Sequence, residues 1–140
     1  MRRTLVALSV VTVVAAAASF ASHHKIQNSC PITGKAVTSA SPRVDWEGQR
    51  VYFCCAGCPA KFKADPNPHF QQFAAEGVVL ENVQDACPVS GEKLGGHGTP
   101  AHVDHHGRRV MFCCDGCVPE FTKDPEKYLA ALPGEHPRQS

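Results

Sequence analysis

The sequence predicts an α+β fold of two small treble-clef-like modules in tandem, each a knuckle, a β-hairpin and a short helix. Three observations lead to it. The 140-residue chain repeats itself, its eight cysteines form two sets of four at matching places, and both copies carry turn residues at matching offsets. Self-similarity of this kind decides architecture before local propensity does.

The first copy opens Cys30-Pro31-Ile32-Thr33-Gly34 and the second Cys87-Pro88-Val89-Ser90-Gly91. Proline fixes φ and glycine supplies positive φ, so each opening predicts a tight knuckle. Residues 44–46 and 50–54 read as two strands around a Glu47-Gly48 turn, which His106-Gly107 repeats in the second copy. Val51 and Phe53 alternate with Tyr52, as on a half-buried strand. Each second strand runs into a corner: Cys54-Cys55-Ala56-Gly57-Cys58, answered by Cys113-Cys114-Asp115-Gly116-Cys117. A short helix should follow, with Pro59 in its first turn, where a missing N–H costs nothing. Phe62 and Phe121 stand four residues past the last cysteines, and Asp65-Pro66 and Asp124-Pro125 should end or bend the helices.

Between the copies, Phe70, Phe73 and Ala74 have helical spacing with Gly77 as the stop, and Val78, Val79 and Leu80 form a short extended piece. The matching helix of the second copy falls at 127–132. The second copy is two residues longer between its first cysteine and its hairpin, around Gly95 to Pro100. Phe53, Phe62, Phe112 and Phe121 are expected in the core, with Trp46 covering its hairpin. The modules then occupy 28–80 and 81–133, with a flexible tail over 134–140. Knuckle, hairpin and helix amount to roughly 40 residues, near the size below which a domain needs a metal or disulfides to fold.

The N-terminus sets the compartment. Arg2 and Arg3 precede an apolar run over 5–18, broken only by Ser9 and Thr12, and Ser19-Phe20-Ala21 offers small residues for cleavage. This is the layout of a secretory signal peptide over 1–21. The run is shorter than the roughly 20 apolar residues of a spanning helix. The mature product is therefore expected to be exported, periplasmic or extracellular, and off the membrane once cleaved. A net charge of +1 without a basic stripe gives no footprint for nucleic acid.

Thiolates arriving from a knuckle and from a strand-to-helix corner converge in space, as in small structural metal sites. Cys58 and Cys117 fall near a helix N-terminus, whose positive end favours the thiolate. Neighbours on a regular strand point to opposite faces, so Cys54 with Cys55, or Cys113 with Cys114, can share an ion only where the strand has bent. Each site is then either four-thiolate, as zinc prefers, or three-thiolate with one cysteine spare, which suits Cu(I). The candidate ligands are Cys30, Cys54, Cys55 and Cys58 in one copy and Cys87, Cys113, Cys114 and Cys117 in the other. Two other uses compete. An even cysteine count in an exported chain also reads as a disulfide framework, although vicinal cysteines make poor staples. Cys55 with Cys58, and Cys114 with Cys117, also read as C-x-x-C redox pairs, without the βαβ pattern that usually accompanies them.

The string Val-x-Phe-Cys-Cys-x-Gly-Cys, followed by phenylalanine and Asp-Pro, resembles the YHS domain and its relative TRASH in both copies. The resemblance implies binding or sensing of heavy metals, copper among them. It selects Cys54 with Cys58 and Cys113 with Cys117, plus an early cysteine in each copy. The chain departs from the family at Thr33 and Ser90, where many members carry cysteine; here the cysteines come three residues earlier, at Cys30 and Cys87. Cys55 and Cys114 stand where serine is frequent.

The second copy alone carries His97, His102, His105 and His106, as solvated side chains or as auxiliary ligands for Cu, Zn or Ni. His23 and His24 would lie second and third from a cleaved amine, an arrangement able to chelate Cu(II) or Ni(II). No nucleophile-and-base set, phosphate loop or carboxylate pair stands out, so no enzyme is expected. The sequence points instead to an exported protein holding one zinc or copper ion per module, to sequester, deliver or sense metal, with a metal-transport or metalloprotein partner. A structural-zinc or disulfide-stapled interaction module and a thiol redox protein are the alternatives.

Overall fold

A computed structural model describes residues 25–137. The apolar run, the expected cleavage site and His23-His24 lie outside the described residues. Among those described, no helix is long and apolar enough to cross a membrane. Helix and strand mix in an α+β arrangement.

Each module starts at its knuckle. The Gly34 N–H donates to the Cys30 carbonyl and the Cys30 N–H to that of Lys35; Gly91, Cys87 and Glu92 repeat the pattern, all at 2.8 Å. The hairpins follow: β2 (Arg43–Trp46) with β3 (Gln49–Tyr52), and β6 (Ala101–His105) with β7 (Arg108–Phe112). Both turns have two residues with positive φ, +44° and +78° at Glu47-Gly48 and +47° and +82° at His106-Gly107. This is the type I′ geometry that matches the twist of paired strands. Val44, Trp46, Val51 and Phe53 point inward from the first hairpin, as alternation predicts, and Val110 and Phe112 from the second.

The helices are short and broken where proline requires. Helix α1 (Cys58–Ala64) stops at Asp65, whose φ of −153° leaves the helical region as a residue before proline tends to. Helix α2 (Asn67–Ala75) then starts, and Gly77 with φ of +68° closes it. In the second module a 3-10 turn (Asp115–Cys117) leads into α3 (Val118–Lys123), and Asp124 both breaks that helix and caps α4 (Pro125–Leu129) by accepting the Lys127 N–H. Phe62 packs edge-on against Phe53, Phe70 and Trp46 in the first core. Phe112 and Phe121, 5.2 Å apart, centre the second, with Leu129 and Leu132 around them.

The linker knits the modules together. Strand β1 (Lys25–Ile26) pairs in parallel with β4 (Val78–Val79), and β5 (Glu81–Asn82) adds an antiparallel third strand to the first hairpin at β3. Side chains then reach the second hairpin. Asn82 Nδ2 and Gln49 Nε2 donate to the Arg109 carbonyl, while Gln84 donates to the Met111 carbonyl and accepts its N–H at 2.9 Å. The hairpin turns also dock crosswise. A Cβ on Gly107 would sit 2.0 Å from the Phe70 carbonyl oxygen of the first module, and the Gly48 N–H donates to the Pro133 carbonyl beyond the second.

Of the segment 134–140, expected as a flexible tail, the described start is docked: the Glu135 N–H donates to the Asp45 carbonyl and the Glu47 N–H to that of Glu135, at 2.8 and 3.1 Å. Gly134 makes this approach possible, since a Cβ there would come within 2.5 Å of the Asp45 carbonyl oxygen. The ends of the strand and turn at 45–47 carry unpaired backbone groups, and the returning chain satisfies them.

Gly107 tests this docking against Gly77, another positive-φ glycine, where a Cβ meets nothing within 4 Å. Gly77→Ala should cost roughly 1 kcal/mol of backbone strain. Gly107→Ala should cost more than about 2 kcal/mol, because backbone must also move. Urea unfolding of both variants in the same metal state checks the order; equal losses would disprove the close approach.

Candidate metal centres

The strands end just ahead of the cysteine pairs: β3 stops at Tyr52, two residues before Cys54, and β7 at Phe112, one before Cys113. Cys54-Cys55 and Cys113-Cys114 therefore lie in bent backbone, which frees adjacent side chains from opposite faces. The bend carries the corner toward the knuckle. Cys30, Cys54 and Cys58 come together in one module and Cys87, Cys113 and Cys117 in the other, with all three sulfur atoms of each set within 4.8 Å of one another. Five of these six are buried and Cys54 is half-buried.

Spacing and donor chemistry both fit a metal ion. Thiolates about 2.3 Å from a common ion lie about 3.8–4.0 Å apart. The Cys54–Cys58 and Cys113–Cys117 separations are 3.8 and 3.7 Å. These are also far from the roughly 2.05 Å of a disulfide, and all eight cysteines are free thiols. The two triads therefore can hold a metal ion.

The electrostatics prepare one thiolate per triad. Burial opposes ionisation of Cys30, but the backbone N–H groups of Cys54, Ile32 and Thr33 and the Thr33 hydroxyl outweigh it and bring its pKa down to about 6. At Cys87 burial is outweighed in the same way by the Ser90 hydroxyl and N–H and by the N–H groups of Cys113 and Val89, again to about 6. The corner thiols go the other way. Interaction with Cys55, then burial, pushes Cys58 up to about 12, and burial raises Cys117. A cation entering the triad would displace the corner proton, the usual coupling of metal binding to proton release. Thr33 and Ser90 act here as hydroxyl neighbours of sulfur, 3.1 Å from Cys54 Sγ and 3.3 Å from Cys113 Sγ.

The remaining cysteine of each copy lies to one side. Cys55 and Cys114 are exposed. Cys55 Sγ is 3.0 Å from Cys58 Sγ, and Cys114 Sγ is 3.9 Å from both Cys113 and Cys117. The histidines are not gathered at either triad. His97 Nε2 approaches Glu92 at 3.4 Å in the exposed loop, and His102 is exposed on β6. His105 and His106 stack on each other at 4.3 Å, with His105 also edge-on to Phe121. Burial lowers the His105 pKa.

Sequence reading missed the polar interface. Glu47 and Arg108 are both about 4% exposed and form a buried ion pair, Arg108 also donates to Asn67 Oδ1 at 2.9 Å, and its guanidinium lies 4.0 Å from the Phe70 ring centre. The signal lay in the alignment of the copies. Glu47 stands opposite His106 and Gln49 opposite Arg108, so opposite charges appear just where the repeats differ.

A knuckle, a bent strand end and a helix start present three convergent thiols that could hold a metal ion. The family model of the YHS domain matches residues 86–131, the second module from just before its knuckle through α4. No curated protein and no solved structure matches the chain.

The lowered knuckle thiols make a direct prediction. In metal-free, reduced protein, thiolate absorbance should rise near pH 6, and Cys30→Ser and Cys87→Ser should each lower that rise. A folded pKa below the ordinary thiol range means stability present above that range and lost as pH falls through about 6. Absorbance rising only above pH 8 would show that the donors do not act on these sulfurs.

Proposed function

We propose that the chain is an exported soft-metal-binding protein with two tandem YHS/TRASH-type modules, each holding one copper or zinc ion through cysteine thiolates. The observation that carries this reading is the recurrence of the same three-thiol cluster at the same positions of both copies, with sulfur spacing suited to a common ion. The family match reaches the second module directly. The residue-by-residue repeat supports extending it to the first, and the order of knuckle, hairpin and helix supports the treble-clef-like description of each.

Three thiolates, all buried in the second module and with Cys54 half-buried in the first, favour Cu(I), whereas recruitment of Cys55 or Cys114 as a fourth ligand would suit zinc. The signal-like N-terminus supports export to a periplasm or the cell exterior, where such a protein sequesters, delivers or senses metal without being an enzyme. The two centres sit in separate hydrophobic cores, which supports independent binding and release. Release to a metal-transport or metalloprotein partner then leaves the fold intact, unlike loss of a purely structural zinc.

Residues 22–140, purified without oxygen or added metal, should carry about two equivalents of copper or zinc, with thiols titrating only after the metal is stripped. Cys58→Ser and Cys117→Ser should each lower the content to about one equivalent, read by elemental analysis. A protein with no metal and few free thiols would overturn the reading in favour of disulfides.

A further inference from the structure

The metal centres leave two thiols and two glycines unexplained. In the second module Cys113, Cys114 and Cys117 are 3.7–3.9 Å apart in every pairing. That is the spacing of three thiolates on one ion, about 3.8–4.0 Å. The module thus contains two overlapping triads sharing Cys113 and Cys117. One is completed inside by the buried Cys87 and the other at the surface by the exposed Cys114. In the first module the corresponding thiols are Cys30 inside and Cys55 outside, with the Cys55 and Cys58 sulfurs at 3.0 Å, closer than two ligands of one ion.

The glycines beside these thiols point the same way. Gly57 has φ of −84° and ψ of −18°, backbone that any residue adopts, and a Cβ there would meet nothing within 4 Å. Gly116 likewise lacks positive φ, and its Cβ would meet only Cys114 Sγ, at 3.7 Å. Neither turn geometry nor packing requires a glycine in either copy. What the missing side chain provides is open space against the outer thiol.

From this geometry we infer that Cys55 and Cys114 are exchange ligands, through which the ion passes between the buried triad and a thiol-bearing acceptor at the surface. The inference rests on the metal-binding reading above. The outer thiolate binds the ion while the knuckle thiolate, Cys87 or Cys30, lets go, so the ion moves outward across the shared pair of sulfurs. An acceptor thiol then loses its proton as it binds, and a released cysteine takes up one. The ion keeps its charge, and no electrons change hands. The acceptor approaches over Gly57 or Gly116.

The test follows Cu(I) leaving the loaded protein for excess glutathione, in the absence of oxygen. Cys55→Ser/Cys114→Ser should bind the same two equivalents as wild type but transfer them at least about tenfold more slowly, one or more ligand exchanges having lost their stepping stone. Gly57→Leu/Gly116→Leu keeps all eight thiols and should slow transfer in the same direction by blocking approach. Unchanged rates in both double variants would overturn the inference while leaving the metal reading intact. Loss of bound Cu(I) in the serine variant would also overturn it, because the outer thiols would then be permanent ligands. Wild type that binds no Cu(I) would instead remove the metal reading on which both rest.

Discussion

The relation of the two modules depends on the buried ion pair between Glu47 and Arg108. Each group comes from a hairpin, Glu47 from the turn of the first and Arg108 from the residue after the turn of the second. Two charges withdrawn from water are costly, and the structure offsets the cost by giving Arg108 further partners in Asn67, the His106 carbonyl and the face of Phe70. Those partners belong to α2 and to the second turn, so one guanidinium draws helix and turns of both modules to one point. A left-handed glutamate at position 47 costs conformational energy. Its carboxylate and its backbone N–H are both engaged, which is how the surrounding structure holds it there.

Much of the local fold was legible in the sequence because its signals are short-range. Two-residue turns, proline at helix starts, Asp-Pro breaks and strand alternation each depend on a few neighbouring residues. Repetition then made each signal readable twice. The docking of the modules was not legible in the same way. Gln49, Asn82 and Gln84 look like ordinary polar residues in sequence, yet their amides bond to the backbone of β7 across the interface. Polar side chains that substitute for a strand's backbone partners leave no periodic pattern. Positions that the copies do not share hold that information, and they stand out least while the similarity is being read.

At the candidate metal centres, the positions of the thiols were legible and their ranking was not. Four cysteines per copy are equivalent as letters. Knuckle, corner and bend bring three of them together, buried or half-buried, and leave the fourth exposed, a distinction that arises only when the strand turns out of its plane. Thr33 and Ser90 show the same limit. As sequence they are departures from a cysteine pattern; in the fold their hydroxyls stand against sulfur. A donor there shifts a neighbouring thiol toward its ionised form without itself becoming a ligand.

The returning segment at Pro133 and Glu135 has a consequence for how the molecule is made. Its carbonyls take up the N–H groups of Gly48 and Glu47, so the first module is finished by residues synthesised after the whole of the second. Domains ordinarily fold in order as the chain emerges, N-terminal part first. Here the turn of the first module stays open to solvent until residues 133–135 reach it. The two modules close like a clasp, and residues 133–135 shut it.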